Sequence, residues 1–237
     1  MNILALESSA TACSAALYRD GTLTAQSFQC SGLTHSRTLL PMVHDMLDNC
    51  GQPLEAVDVI AVAAGPGSFT GLRIGVAAAK GLAWAAEKPC APCSTLESMA
   101  WPLAHMEDRL IVCAMDARRK QVYNALFLAR GEGLERLAPD RAISLEELGE
   151  ELKKFQIPKI VVGDGAELCY NSLRDQISEL EPAPVHLRMQ SAWGVARAAE
   201  ELARAGGLVS GGELAPVYHR LSQAERERLE RETKSTN

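Results

Sequence analysis

The 237-residue chain contains no apolar run of the roughly 18–20 residues that a membrane-spanning helix requires. Its start, Met1-Asn2-Ile3-Leu4-Ala5-Leu6-Glu7, has no basic region and meets an acid at once, the opposite of a secretory leader. Basic charge is also short. The net charge is −6, and neither the first 100 residues nor the remainder carries more Lys and Arg than Asp and Glu. A protein that grips nucleic acid mainly by electrostatics shows a basic face, so the chain as a whole is a poor candidate for that role. The 7 cysteines are odd in number and several sit in apolar runs, which fits reduced core thiols in a cytoplasm better than a disulfide framework. Cys90-Ala91-Pro92-Cys93 has redox spacing but no helix opening at the first thiol, and no second pair completes a zinc site. There is no His-Glu-x-x-His and no Gly-x-Ser-x-Gly, so intrinsic proteolysis has no recognisable machinery.

What is present is a repeated order of elements. Ile3–Leu6, Cys13–Tyr18 and Thr22–Gln29 read as strands, with Asp20-Gly21 as a hairpin turn. His35–Asn49 reads as a helix closed by Gly51, Val57–Ala64 as a strand, and Thr70–Glu87 as an Ala-rich helix. A short strand at Pro89–Cys93 and a helix at Thr95–His105 complete this half. Strands at Leu110–Met115, Val122–Phe127 and about Leu134–Leu137 follow. The capping sequence Ser144-Leu145-Glu146-Glu147 then opens a helix ending near Phe155. A strand at Lys159–Val162 and helices at Ala166–Ile177 and Ala192–Ala205 complete the second half. The βββαβα unit thus occurs twice. That order predicts an α/β fold of the actin, sugar-kinase and heat-shock-ATPase (ASKHA) type. Its lobes are 1–106 and 107–215, with an extension at 216–237. The extension includes a charged run, Ala224 to Glu232, with a helical Glu227–Arg231 pair.

In such a fold a nucleotide sits between the lobes, and the loops facing it are identifiable. Glu7-Ser8-Ser9 ends the first strand, but its turn has no glycine to let a phosphate approach. The corresponding turn of the second lobe, Met115 to Lys120, carries the adjacent cations Arg118, Arg119 and Lys120. These read as an anion or carboxylate site, or as an ordinary exposed turn. Gly163-Asp164-Gly165 joins a strand to a helix, where small residues serve a ligand at the helix start or simply a tight turn. The strongest local signal is Gly65-Pro66-Gly67-Ser68-Phe69-Thr70-Gly71-Leu72-Arg73-Ile74-Gly75. It lacks the Gly-Lys-Ser/Thr of a Walker loop. Gly67, Gly71 and Gly75 recur every four residues, and Ala78 and Ala79 prolong the small strip. Such a helix face approaches another backbone closely, either the lobe's own sheet or a second protein. Leu72, Ile74, Val76, Leu82 and Trp84 are then left to supply its packing.

This loop, with Met1–Gly21 and Pro216-Val217-Tyr218, resembles the TsaB family. These are non-catalytic, actin-like subunits of the bacterial machinery that makes N6-threonylcarbamoyladenosine in ANN-decoding tRNAs. The resemblance runs to about residue 220. It implies a scaffold that pairs with the catalytic paralogue TsaD, recruits the ATPase TsaE, forms a homodimer through the same helices, and meets tRNA only through the complex. It places the interface on the first two helices, with Leu39, Leu40, Val43, Met46, Gly71, Ile74, Gly75 and Ala78 as candidates. By alignment, Thr95 and Met99 occupy the metal-binding histidine positions of TsaD. Neither suits a hard divalent ion, so no metal centre is expected. Glu7 replaces the commoner Asp of the family, and His219 stands where Leu is frequent. No tightly bound cofactor is expected. Glu7 and the Gly163-Asp164-Gly165 loop keep weak nucleotide binding open, at this subunit or at a subunit junction. The competing readings are an autonomous actin-like ATPase or kinase, and a protease acting on TsaD.

Overall fold

The computed structural model describes residues 1–131 and 133–220. Strand β1 (Asn2–Glu7) pairs antiparallel with β2 (Cys13–Arg19), and β2 with β3 (Thr22–Gln29). Asp20 and Gly21 link β2 to β3 at φ 45° and 85°, the left-handed pair that a tight hairpin uses. Parallel strands need a crossover, and two helices supply it. Helix α1 (His35–Asn49) leads to β4 (Val59–Gly65), and α2 (Phe69–Ala86) leads to β5 (Cys90–Ser94). The first sheet has the order β3-β2-β1-β4-β5.

The second lobe repeats this plan. It contains β6 (Leu110–Asp116), β7 (Gln121–Arg130), β8 (Gly133–Ser144), α4 (Leu145–Leu152), β9 (Lys159–Val162), α5 (Ala166–Leu173) and β10 (Leu180–Pro182). Its sheet has the matching order β10-β9-β6-β7-β8. The Ser144–Glu147 box caps α4 in both directions. Two five-stranded mixed sheets with this duplicated connectivity make the fold ASKHA-like, as the element order predicts.

The central strands of each sheet are buried on both faces, and their period of two divides the core. In β1, Leu4 and Leu6 face α1 and α2, while Ile3 and Ala5 face the other side. In β6, Leu110, Val112 and Ala114 face α4 and α5, while Ile111, Cys113 and Met115 face α3 (Thr95–Ala100). The inner helices are exchanged between the lobes. Helix α3 follows the first sheet in the chain, but its Leu96, Met99 and Ala100 pack on the second. Helix α7 (Ala192–Arg204) follows the second sheet, yet Ala192, Val195, Ala196 and Ala199 pack on the first. The two helices meet so closely that a Cβ on Gly194 would lie 1.9 Å from the Ser98 carbonyl oxygen. A boundary near residue 106 therefore describes the sheets, and the packing crosses it in both directions.

Several element ends differ from the sequence reading. The helix expected over Thr95–His105 stops at Ala100, and Trp101–Leu103 tightens into a 3-10 turn at Pro102. Helix α5 ends at Leu173 rather than Ile177. Strand β8 runs the full Gly133–Ser144, far past Leu137. Strand β10 and helix α6 (Val185–Arg188) are too short to leave a periodic signal. The Ala224–Glu232 run lies outside the described residues. No helix among those described is long and apolar enough to cross a membrane.

Candidate functional site

The glycine loop is held from below by the end of β1. Ser68 N–H donates to the Ser9 carbonyl at 2.6 Å, and Ser8 Oγ donates to the Gly71 carbonyl at 2.9 Å. A Cβ at Gly67 would sit 2.6 Å from Ser9 O, and one at Gly71 would sit 2.1 Å from Ser8 O. At Gly75 it would meet Ser8 Oγ at 2.4 Å. The small-residue strip is thus consumed inside the lobe, where it lets α2 lie on the β1–β2 turn. Gly71 and Gly75 are buried there and leave the expected partner interface. Leu39, Val43 and Met46 also leave it, because they form the core under α1. Leu40 is 48% exposed, and Ile74 and Ala78 are half-buried, so these candidates remain on the surface. Trp84, expected to help pack α2, is 86% exposed instead. It shares the outer face of α2 with exposed Ala77 and Gly81. The helical spacing of Ala77, Gly81 and Trp84 opposite Val76, Ala79 and Ala83 was a readable signal for that face.

Between the lobes lies a cleft of about 540 Å³. Ser9, Ser68 and Phe69 line one side, and Asp116, Arg118 and Asp164 line the other. Residues Val217–Arg220 run along its mouth, a contact the sequence did not reveal. Val217 N–H donates to the Ala64 carbonyl at 2.7 Å, and Gly65 must be glycine because its Cβ would lie 2.2 Å from Val217 O. Tyr218 stacks on Phe69 with ring centroids 4.5 Å apart. The Arg73 guanidinium lies 3.9 Å over the Phe69 ring and its Nε donates to the Tyr218 hydroxyl at 3.1 Å. On the opposite lobe, Arg220 donates to the Ala117 carbonyl at 2.5 Å. The Pro216-Val217-Tyr218 motif therefore anchors a strap across both lobes.

A buried carboxyl adjoins the cleft lining at Ser9. Glu7 is fully buried; its Oε1 accepts from Ser9 N–H at 2.6 Å, while Oε2 has no partner. Burial, and secondarily the Asp164 charge, push its carboxyl up to about 7 against the pull of the Ser9 hydrogen bonds. Burial likewise raises Asp164, which accepts from Gln190 Nε2 at 3.1 Å. Gly163 and Gly165 serve packing, since added Cβ atoms would lie 2.2 Å and 3.0 Å from Ala114 O. Ser8 is buried beneath α2 and does not line the cleft, whereas Ser9, Arg118 and Asp164 do. Arg118, Arg119 and Lys120 are exposed in consecutive left-handed conformations, φ 66°, 56° and 58°. The turn is tied by Arg118 N–H donating to Asp116 Oδ1 at 2.7 Å.

The buried Glu7 makes stability pH-dependent. Between pH 4.5 and 7 the folded chain retains a proton that the unfolded chain releases. Stability therefore falls as pH rises through that window and levels off above it, by on the order of 3 kcal/mol. Glu7→Gln is expected to remove this loss. Denaturant unfolding of both proteins at the two ends of the window measures it. An identical pH slope in wild type and variant would show that Glu7 titrates normally.

Cys90 and Cys93 are buried on β5, where burial pushes both thiols up, away from a reactive thiolate. Thr95 and Met99 are buried on α3. Among the described residues no three His, Cys, Asp or Glu side chains gather as metal ligands.

A family model described as TsaD, tRNA N6-adenosine threonylcarbamoyltransferase, matches residues 30–178. The tRNA threonylcarbamoyladenosine biosynthesis protein TsaB of Bacillus subtilis (strain 168) is 34% identical over 233 residues, covering 97% of this chain and 99% of the relative. The chain belongs to the TsaB family. A solved structure, YeaZ from Pseudomonas aeruginosa, superposes with a TM-score of 0.73 at 27% identity, covering 92% of this chain and 99% of the other. The ROK hexokinase from Thermus thermophilus shares the fold alone, with a TM-score of 0.50 at 12% identity, covering 86% and 100%. For a TsaB-family chain, the glycine loop thus marks a packing solution between α2 and the end of β1.

Proposed function

We propose that the chain is a non-catalytic scaffold subunit in the formation of N6-threonylcarbamoyladenosine in tRNA, pairing with TsaD and helping to place TsaE. Family membership over nearly the whole chain is the observation that carries this reading. The α1–α2 surface supports the pairing. Leu40, Ala77 and Trp84 are exposed there and Ile74 and Ala78 half-buried, apolar and small groups that gain from burial against a partner. The same face would serve a homodimer when TsaD is absent.

In this role the chain needs no tightly bound cofactor and performs no reaction of its own. Asp116 and Asp164 line the cleft, and two carboxylates facing the same space oppose nucleotide phosphates. No glycine relaxes the turn at Ser8-Ser9, and α2 packs on it directly. Reconstitution of the modified base from purified components, with and without this chain, tests the scaffold role.

A further inference from the structure

We propose that the mouth of the interlobe cleft is a direct contact for single-stranded RNA, with phosphates held by the Arg118-Arg119-Lys120 turn and a base stacked on Tyr218. The inference rests on the proposed function for RNA as the substrate of the assembly, and it departs from the resemblance's expectation that tRNA is met only through the complex.

The charge distribution points to this place. The whole chain is net −6, so an RNA strand is repelled by most of its surface. Beside the cleft, however, three consecutive exposed cations occupy one turn, the first of which, Arg118, lines the cleft. Arg118 is 3.5 Å from Asp116, while Arg119 and Lys120 make no ion pair among the described residues. Arg220 reaches the same turn through the Ala117 carbonyl. Facing it across the cleft is an aromatic platform. Phe69 supports one side of Tyr218, Arg73 ties the pair together, and Tyr218 remains 41% exposed where it lines the cleft. Cations beside an open, propped aromatic ring form the combination that binds unpaired nucleotides without reading sequence.

The position of the acids separates this site from a nucleotide dropped between the lobes. Glu7 is buried and Asp116 and Asp164 are half-buried, whereas Arg118, Arg119 and Lys120 are exposed. Phosphates are therefore favoured along the rim, and a strand crosses the mouth rather than filling the cleft. A paired helix keeps its bases stacked internally and cannot use Tyr218 in this way.

The test is fluorescence anisotropy of the full chain with a short unstructured RNA oligomer, a hairpin duplex of the same length, and ATP as competitor. The oligomer is expected to bind, with a log–log salt slope of about −2 for three phosphate contacts. Arg119→Glu with Lys120→Glu is expected to weaken binding at least about tenfold and flatten the slope. Tyr218→Ala is expected to weaken it about tenfold while leaving the slope unchanged. The charge reversals are on exposed side chains, so a preserved circular-dichroism melt separates lost binding from lost fold. Absence of oligomer binding by the wild type, unchanged binding by the double reversal, equal binding of the duplex, or full displacement by ATP would each overturn the inference. Such a failure with intact base modification in the reconstituted system leaves the scaffold role standing, so the two are distinguishable.

Discussion

Replacing Gly71 by alanine is expected to cost about 3 kcal/mol of stability, the upper part of the range for overpacking a tight contact. The added Cβ would lie 2.1 Å from the Ser8 carbonyl oxygen. Neither side can yield cheaply. Ser8 follows directly on β1, which pairs with both β2 and β4, and its hydroxyl holds the Gly71 carbonyl. Gly71 lies in the first turn of α2, where its N–H is already taken by the Ser68 cap. For a chain of this size the loss corresponds to a fall of roughly 10 °C in melting temperature. Gly81→Ala is the control. It lies on the same helix with nothing within 4 Å of a new Cβ, and it should gain up to about 1 kcal/mol through helix propensity. Calorimetric melts of both variants decide the matter. An unchanged melt for Gly71→Ala would mean that the small strip is not a packing device and returns it to the partner surface.

The second large effect concerns association. Leu40→Glu combined with Ala77→Glu is expected to weaken binding to TsaD at least about a hundredfold, the scale on which truncating or charging a central interface residue acts. Both residues are exposed in the isolated chain, so its own stability should stay within about 0.5 kcal/mol of wild type. A carboxylate at either site would be buried without a partner if this face docks, and such a charge is costly to desolvate. Sedimentation of the mixed proteins, with melts of the variant alone, reads both quantities. Full retention of binding would move the interface off α1 and α2.

The architecture was legible because its signals are local. Continuous apolar runs such as Leu110–Met115 mark buried strands, Asp20-Gly21 marks a hairpin, and Ser144 with Glu147 marks a helix start. Two kinds of feature were not legible. The exchange of α3 and α7 between the lobes depends on which sheet each apolar face meets, and periodicity reports a face without naming its partner. The strap at Val217–Arg220 meets residues more than a hundred positions away, through backbone groups and one aromatic stack that no spacing rule encodes.

The glycine strip shows the same limit at residue level. Its period of four correctly signalled a close approach, but whether the approached backbone was internal or foreign could be decided only from Ser8 and Ser9. Leu39, Val43 and Met46 were similarly ambiguous, since core and interface residues of α1 share one chemistry. Exposure separates them from Leu40.

In the proposed role, this chain assists a modification it does not itself catalyse. The most direct test of that role is a reconstitution with TsaC, TsaD, TsaE, ATP and unmodified tRNA, scored by mass spectrometry for N6-threonylcarbamoyladenosine. The modified base is expected only when this chain is added, and none when TsaD is omitted. Equal yield without the chain, or product formed without TsaD, would contradict it.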